Sequence, residues 1–369
     1  MSLADQFIKS SKKKKGSGQL SKIIEEPLKY HDTGIPALNL AYGGSFDAGT
    51  RFGVTTIAGR SKSFKTIFGL ISAKAYLDTY PDAYMMFYDS EGGASAEYFE
   101  GVGIDPDRVI VNRIMDIEEL KFDMMEKLTA IKQAYEETKE YQHFVFFVDS
   151  IGNLASIKEV NDANKGNDAT DMGTRAKSLK AFFRIVTPYF DMYNMHAIFI
   201  NHVTADISGM GGRDIMTGGQ GVMLSSNDVF IVGKRQIKDG KDVVGWQFVL
   251  NVEKSRVIRE RSAIAFDVTY DGGLDTYSGL LDMALASGHV TKPKVGWFTR
   301  PGVEGDKSWR RKETSTPEFW DPLLNDPSFN KAVSEMYKLN GGNELIQRRL
   351  DTMLEEGEDF DPETGEIYS

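Results

Sequence analysis

Residues 59–66 read Gly59-Arg60-Ser61-Lys62-Ser63-Phe64-Lys65-Thr66. They follow an apolar run, Phe52-Gly53-Val54-Thr55-Thr56-Ile57-Ala58, and precede a stretch where Ile67, Leu70, Ile71 and Lys74 recur at helical spacing. No other segment constrains the fold as strongly. A strand that turns tightly into a helix N-terminus is the setting of a phosphate-binding loop, whose backbone N–H groups and helix dipole face an anion. In such a loop Gly59, Arg60, Ser61, Lys62, Ser63 and Phe64 surround the phosphates. Lys65 reaches the β- and γ-phosphates, and the Thr66 hydroxyl ligates Mg²⁺. The ligand class is a nucleoside triphosphate with magnesium, and the fold class is α/β. One position departs from the usual pattern: Phe64 stands where glycine normally precedes the lysine, so a side chain must be tolerated there.

From about residue 30 to 270 strands and helices alternate. Strands are predicted at 52–58, 83–89, 109–112, 143–149 and 195–201, with helices near 66–79, 95–102, 117–137 and 171–191. Near-continuous apolar strands between helices predict a mainly parallel, doubly wound sheet. Segments 228–235, 244–253 and 263–270 then read as consecutive strands, the first two joined by Lys238-Asp239-Gly240-Lys241. They predict an antiparallel extension on the sheet edge. Residues 1–10 suit a short amphipathic helix, and 11–20 a linker. Beyond about 275 the segments shorten around Trp297, Trp309 and Trp320, as in a small appended domain. The divisions expected are 1–29, a core at 30–272, a small C-terminal α/β domain at 273–354 and an acidic tail at 355–369.

Two carboxylates close the nucleotide argument. Asp149 ends the apolar strand Phe144-Val145-Phe146-Phe147-Val148, where a Mg²⁺ anchor is expected downstream of a phosphate loop. Such an acid can also cap a helix. Asp89-Ser90-Glu91 ends the strand that follows the phosphate-loop helix. Hydrolysis needs a carboxylate that orients the attacking water. Glu91 has left its strand and is the better candidate.

The chain has 369 residues, enough for one large domain and a small one, and 41% of them are hydrophobic. It has no cysteine, so disulfide and thiolate chemistry are excluded. No apolar run approaches the length of a membrane span. A net charge of −10 argues superficially against nucleic acid. Residues 355–369 hold seven acids and no Lys or Arg, so subtracting −7 leaves −3 for the rest. Lys12–Lys15 form a basic run at the other end. Opposite-sign ends fit head-to-tail association or gating of a polyanion site, and equally two solvated ends.

The combination Gly59…Lys65-Thr66, Glu91, Asp149, Ile200-Asn201-His202 and Thr217-Gly218-Gly219 resembles the core of RecA-like recombinases. Phe64, Asn153-Leu154-Ala155-Ser156, the segments 183–190 and 233–240, and Val252-Glu253-Lys254-Ser255-Arg256 are similar to the UvsX branch carried by T-even-type phages. That branch resembles this chain at Phe64 too. The resemblance spans about 30–330. It implies a RecA-like ATPase core whose mainly parallel twisted sheet carries helices on both faces. It also implies the antiparallel edge extension, the short N-terminal helix and the small C-terminal domain.

The resemblance also implies roles. Glu91 matches the residue that activates water. Tyr98 matches an adenine-stacking aromatic, with Ser95 where relatives carry a more polar partner. His202 matches a γ-phosphate sensor, and Lys254 with Arg256 a basic pair that reaches the neighbouring subunit's γ-phosphate. Taken alone, Lys-Ser-Arg reads as a solvated strand edge. Two connections, 157–172 and 203–219, are expected as loops that hold single-stranded DNA. Met172 and Ile207 match wedges between base groups, and Met210, Arg213, Gly218 and Gly219 belong to the second loop. Arg175, Lys177, Lys180 and Arg184 start the following helix and would contact phosphates, or else form a solvated face.

The implied protein is an ATP- and Mg²⁺-dependent DNA-stimulated ATPase that forms a helical homo-oligomeric filament on single-stranded DNA and exchanges strands with a homologous duplex. A loading mediator and a single-strand-binding protein are the implied partners. No membrane partner is expected, and the implied location is the cytoplasm of the infected bacterial host. A RecA-fold hexameric helicase and a non-hydrolysing filament mediator are the alternatives.

Overall fold

The computed structural model describes residues 3–11, 29–166, 172–205, 214–303 and 307–339. Its centre is a ten-stranded sheet. The strands in chain order are β1 (Gly53–Gly59), β2 (Tyr84–Asp89), β3 (Val109–Arg113), β4 (Phe144–Asp149), β5 (His196–Ala205), β6 (Asp214–Met216), β7 (Asp228–Asp239), β8 (Asp242–Lys254), β9 (Ala263–Thr269) and β10 (Gly273–Leu274). Their spatial order is β10-β9-β8-β7-β1-β5-β4-β2-β3, with β6 attached to β5. The pairs from β7 through β1, β5, β4 and β2 to β3 are parallel, and β8, β9 and β10 are added antiparallel. This is the sheet the apolar runs predict, extended on one edge by three consecutive strands.

Both faces are covered, which is why the central strands read as continuous apolar runs. Period-2 alternation divides their side chains. Ile57, Val145, Phe147, Ile198 and Ile200 pack on one side, with Phe68 and Leu70 of the helix Lys65–Thr79 and Leu38 and Leu40 of the helix Pro36–Gly43. Val54, Ala58, Phe146, Val148 and Phe199 pack on the other. There they meet Leu120, Met124 and Leu128 of the helix Ile117–Thr138 and Phe182, Phe183 and Val186 of the helix Met172–Met192.

The segment after β10 folds as the helices Leu280–Ala286, Pro317–Leu324 and Pro327–Tyr337 around a second sheet. That sheet is β11 (Thr291–Lys294), β12 (Trp297–Thr299) and β13 (Trp309–Arg310). Phe298, Trp309, Phe319, Trp320 and Phe329 join the first of the two cores. Among the described residues no helix is long and apolar enough to cross a membrane. Leu3–Ser11 is a helix, as its amphipathic pattern predicts. Lys12–Lys15 and the acidic tail lie outside the described residues.

Two expectations need correction. The connection 157–172 is not simply a loop: Ile157–Asn164 is helical. Ser156 and Glu159 form a capping box at its start, with the Ser156 N–H donating to Glu159 Oε2 at 2.6 Å. The connection 203–219 is likewise partly regular. β5 continues to Ala205, and β6 returns against it with Val203 opposite Met216 and Ala205 opposite Asp214.

Candidate functional site

β1 delivers the phosphate loop to the carboxyl edge of the sheet, between β5 and β7. Gly59 is required there by close approach, since a Cβ would lie 2.5 Å from Ser63 Oγ and 3.0 Å from the Val232 carbonyl. Lys62 and Phe64 adopt left-handed backbone conformations, φ 57° and 64°. Such a conformation costs a residue with a Cβ about 1–2 kcal/mol. Phe64 offsets this by stacking on Phe248 of β8 (4.9 Å, 15°) and meeting Phe68 edge-on (5.4 Å, 81°). Each aromatic pair adds about 0.5–1.5 kcal/mol. The missing glycine is thus replaced by a ring anchored to the hairpin above the loop. Lys234 of β7 donates to the Lys62 carbonyl at 3.1 Å, and Arg60 forms an ion pair with Asp214 at 2.7 Å. Ser61 is exposed.

This loop fits an anion. Lys65 is buried, and among the described residues its ammonium makes one long hydrogen bond, 3.5 Å, to the Arg60 carbonyl. Ser63 Oγ is buried with no hydrogen-bond partner among the described residues. A buried cation and an unsatisfied hydroxyl at the N-terminus of the helix Lys65–Thr79 make a site short of acceptors.

Strand register assembles the rest. Asp89 and Asp149 lie side by side on β2 and β4, and His202 of β5 lies beside Gly59. The Thr66 hydroxyl donates to Asp149 Oδ2 at 2.9 Å. Burial chiefly pushes the Asp149 carboxyl up to about 6. Glu91 and Asp89 add repulsion, while the Thr66 hydroxyl and Lys65 pull the other way. A hard divalent cation between Thr66 and Asp149 would relieve that burden. The Asp149–Ser150 peptide is cis. The Tyr98 hydroxyl lies beside Thr66 and Asp149, and burial pushes it up to about 12. Ser95 caps the helix Ala96–Glu100, accepting from the Tyr98 N–H at 3.3 Å.

Asp89 shapes the turn that sends Glu91 outward, accepting from the N–H groups of Glu91 (3.0 Å) and Gly92 (2.6 Å). Glu91 Oε1 accepts from Ser150 Oγ at 2.9 Å and Asn153 Nδ2 at 2.8 Å, and lies 3.4 Å from His202 Nε2. Ser150 Oγ is itself 3.1 Å from His202 Nε2. Burial first, then Lys65, holds the His202 imidazole below its ordinary range against the pull of Glu91. The balance favours the neutral ring.

Lys254 and Arg256 are not part of this cluster. Lys254 faces Val229, which pairs with Thr56 in the interior of β1. Its ammonium donates to the carbonyls of Met223 (3.0 Å), Leu224 (2.9 Å) and Ser226 (2.7 Å), at the end of the helix Gln220–Ser225. Arg256 is exposed and stands near Asp191 and Asp228. Asp191 approaches Gly53, the first residue of β1. Gly53 itself stands six strand steps of about 3.3 Å, roughly 20 Å, from Gly59.

Lys177, Lys180 and Arg184 share one exposed helix face. Arg175, expected beside them at phosphates, is turned inward. Its guanidinium donates to the carbonyls of Leu154 (2.8 Å), Ile151 (2.9 Å) and Gly152 (2.8 Å). Gly218 and Gly219 both have positive φ and pack against Leu179 and Ala176 of that helix. Met172 is its first residue. Ile207, Met210 and Arg213 lie outside the described residues. Sequence reasoning did not single out Ser150, although it adjoins Asp149, nor Asp214, Lys234 and Phe248. These last three meet the loop only across long chain separations, which no local pattern signals.

A family model described as the RecA N-terminal domain matches residues 3–275. A second matches residues 277–333; it is described as the C-terminal domain of the bacteriophage T4 recombination and repair protein. The recombination and repair protein of Enterobacteria phage T4 is 45% identical over 332 residues, 87% of this chain and 83% of that protein. Protein RecA of Streptomyces avermitilis is 24% identical over 306 residues, 81% of this chain and 75% of its own length. Protein RecA of Chloroherpeton thalassium is 30% identical over 147 residues, 39% of this chain and 40% of its own.

Proposed function

The chain belongs to the RecA family of recombinases, in the branch of the phage T4 recombination and repair protein, and we propose that it polymerises on single-stranded DNA and uses ATP to drive strand exchange with a homologous duplex. The observation that carries this reading is the convergence of Lys65, Thr66–Asp149 and Glu91–His202 at the carboxyl ends of adjacent parallel strands. Ligands of open α/β sheets bind at that edge.

Lys65, Ser63 and the loop amides hold the triphosphate, and Tyr98 borders it. Thr66 and Asp149 would hold Mg²⁺, which would supply neutralisation of the triphosphate's charge. Glu91 accepts the hydrogen bond of the attacking water and orients it for in-line attack. Ser150 and Asn153 keep that carboxylate in place. Neutral His202, between Glu91 and the phosphates, senses the γ-phosphate and connects it to Asn201 and Thr217 at the base of the β5–β6 arm. Arg256 extends to the γ-phosphate held by the next subunit, while Lys254 fixes the helix end beside it. A cation placed towards the end of β1 remote from its own phosphate loop suits such action in trans.

Lys177, Lys180 and Arg184 form a phosphate-contacting face, with Gly218 and Gly219 giving backbone close access. Met172, Ile207, Met210 and Arg213 complete the DNA surface, and Arg175 positions it. We assign residues 1–29 to subunit contact, 30–272 to the ATPase core, 273–354 to the small domain and 355–369 to an acidic tail. A loading mediator and a single-strand-binding protein act with it in the host cytoplasm.

Strand exchange is the test. Circular single-stranded DNA, a homologous linear duplex, Mg²⁺ and ATP should yield joint molecules with this chain and none with Lys65→Ala. Unwinding of a forked duplex without joint molecules would favour a hexameric helicase instead. Strand exchange with no ATP turnover would favour a non-hydrolysing mediator.

A further inference from the structure

Between Lys254 and Arg256 stands Ser255, which is buried although it directly follows the end of β8. Its hydroxyl uses its full hydrogen-bonding capacity. Oγ donates to Asp228 Oδ1 at 2.9 Å and accepts from the N–H groups of Val257 (3.3 Å) and Ile258 (3.4 Å). Asp228 is in turn held by Arg51, whose Nη2 lies 3.0 Å from Oδ1 and 3.2 Å from Oδ2, with Nε 3.4 Å from Oδ2. Arg51 is 9% exposed and Asp228 1%. Asp228 opens β7 and pairs with Thr55 in β1, so the acid is fixed to the middle of the sheet. The turn is braced on its far side as well. The Arg259 N–H donates to the Tyr337 carbonyl at 2.8 Å, and the Leu339 N–H donates to the Val257 carbonyl at 3.2 Å. The last helix of the small domain, Pro327–Tyr337, thus ends against residues 257–259.

Stability alone is a weak reason for this arrangement. Desolvating a buried ion pair often costs more than its attraction returns, and apolar residues of similar volume serve as well or better. What such a pair supplies is one fixed geometry. Here it sets the direction in which the chain leaves β8, between an ammonium that closes the helix Gln220–Ser225 and an exposed guanidinium. A cation that acts on a neighbouring subunit's phosphate has to arrive in place, since a misplacement of about 1 Å can cost about 10²-fold in rate. We propose that Ser255, held by the buried Arg51–Asp228 pair, is a positioning residue that aims Arg256 at the nucleotide of the next subunit. It touches no reacting atom and acts through Arg256. The inference rests on the reading of Arg256 as a cation acting in trans.

The test places Ser255→Ala on one side or the other of a shared junction. In an equimolar mixture of Glu91→Gln and Arg256→Ala chains, a working junction takes Glu91 from the Arg256→Ala chain and Arg256 from the Glu91→Gln chain. Phosphate release from ATP on oligothymidylate gives kcat and KM for each mixture. Ser255→Ala built into the Glu91→Gln chain should lower the restored kcat about ten- to a hundredfold, with KM for ATP within about twofold. Built into the Arg256→Ala chain, the same substitution should leave kcat within about twofold, because that chain supplies no Arg256. Equal losses from both placements would mark a merely structural role and overturn the proposal. An unchanged kcat from the first placement, or a loss confined to the second, also overturns it. A mixture with Ser255 intact that forms mixed filaments yet restores no turnover overturns the trans reading itself, and the positioning role with it.

Discussion

Phe64 offers a test in which two opposing effects separate. Its backbone is left-handed, φ 64° and ψ 8°, which disfavours a residue with a Cβ by about 1–2 kcal/mol relative to glycine. The ring stacks on Phe248 and meets Phe68 edge-on, together about 1–3 kcal/mol. Its partial burial adds about 1 kcal/mol more. The ring wins narrowly. Phe64→Gly should therefore destabilise the protein by about 1 kcal/mol, because it loses the ring but relieves the backbone. Phe64→Ala loses the same ring and keeps a Cβ in the left-handed region, so it should be less stable than the glycine variant by about a further 1 kcal/mol. Urea unfolding of the three proteins without nucleotide gives the order wild type, glycine, alanine. An alanine variant as stable as the glycine variant would refute the left-handed loop. A glycine variant more stable than wild type would refute the ring's compensating role.

Glu91→Gln should bind ATP and DNA but lose hydrolysis, leaving filaments that persist on DNA; turnover within a few-fold of wild type would assign the base elsewhere. Arg256→Ala should lose roughly 10³-fold or more in DNA-stimulated hydrolysis while its monomer still binds nucleotide. Mixing it with Glu91→Gln should partly restore turnover, because some junctions then hold both intact groups; mixed filaments as inactive as either variant would exclude sharing in trans. Asp149 is raised by burial from 3.8 to about 6, so its contribution to stability is complete below about pH 4 and lost as pH rises through about 6. Asp149→Asn should then match wild type near pH 4 and exceed it above about 6, by on the order of 1–3 kcal/mol without nucleotide; urea titrations giving a pH-independent difference would contradict this.

The central sheet was legible because burial on both faces forces long apolar runs, and Val145–Val148 can hardly be anything else. The phosphate loop was legible because its chemistry fixes residue types at fixed spacing. Glu91 and Asp149 stood out as candidates because strand ends in such a sheet face one crevice. What local pattern could not show is what crosses the sheet. Phe248 lies 184 positions after Phe64, and only the curl of the β7–β8 hairpin over the loop brings the rings together. Arg175 looked like one more cation on a basic helix, yet three inward carbonyls claim it. The helix Ile157–Asn164 was announced by Ser156 and Glu159, a capping pair overlooked because the segment lacks an apolar face that the core would bury.

The claim on which everything else depends is that subunits join head to tail around DNA, with nucleotide between them. Electron microscopy with single-stranded DNA and a non-hydrolysable ATP analogue tests it most directly. Continuous helical filaments that form with the analogue, and fail to form with Lys65→Ala, are the predicted result. Closed rings, or DNA bound only by isolated protomers at saturating protein, would contradict it.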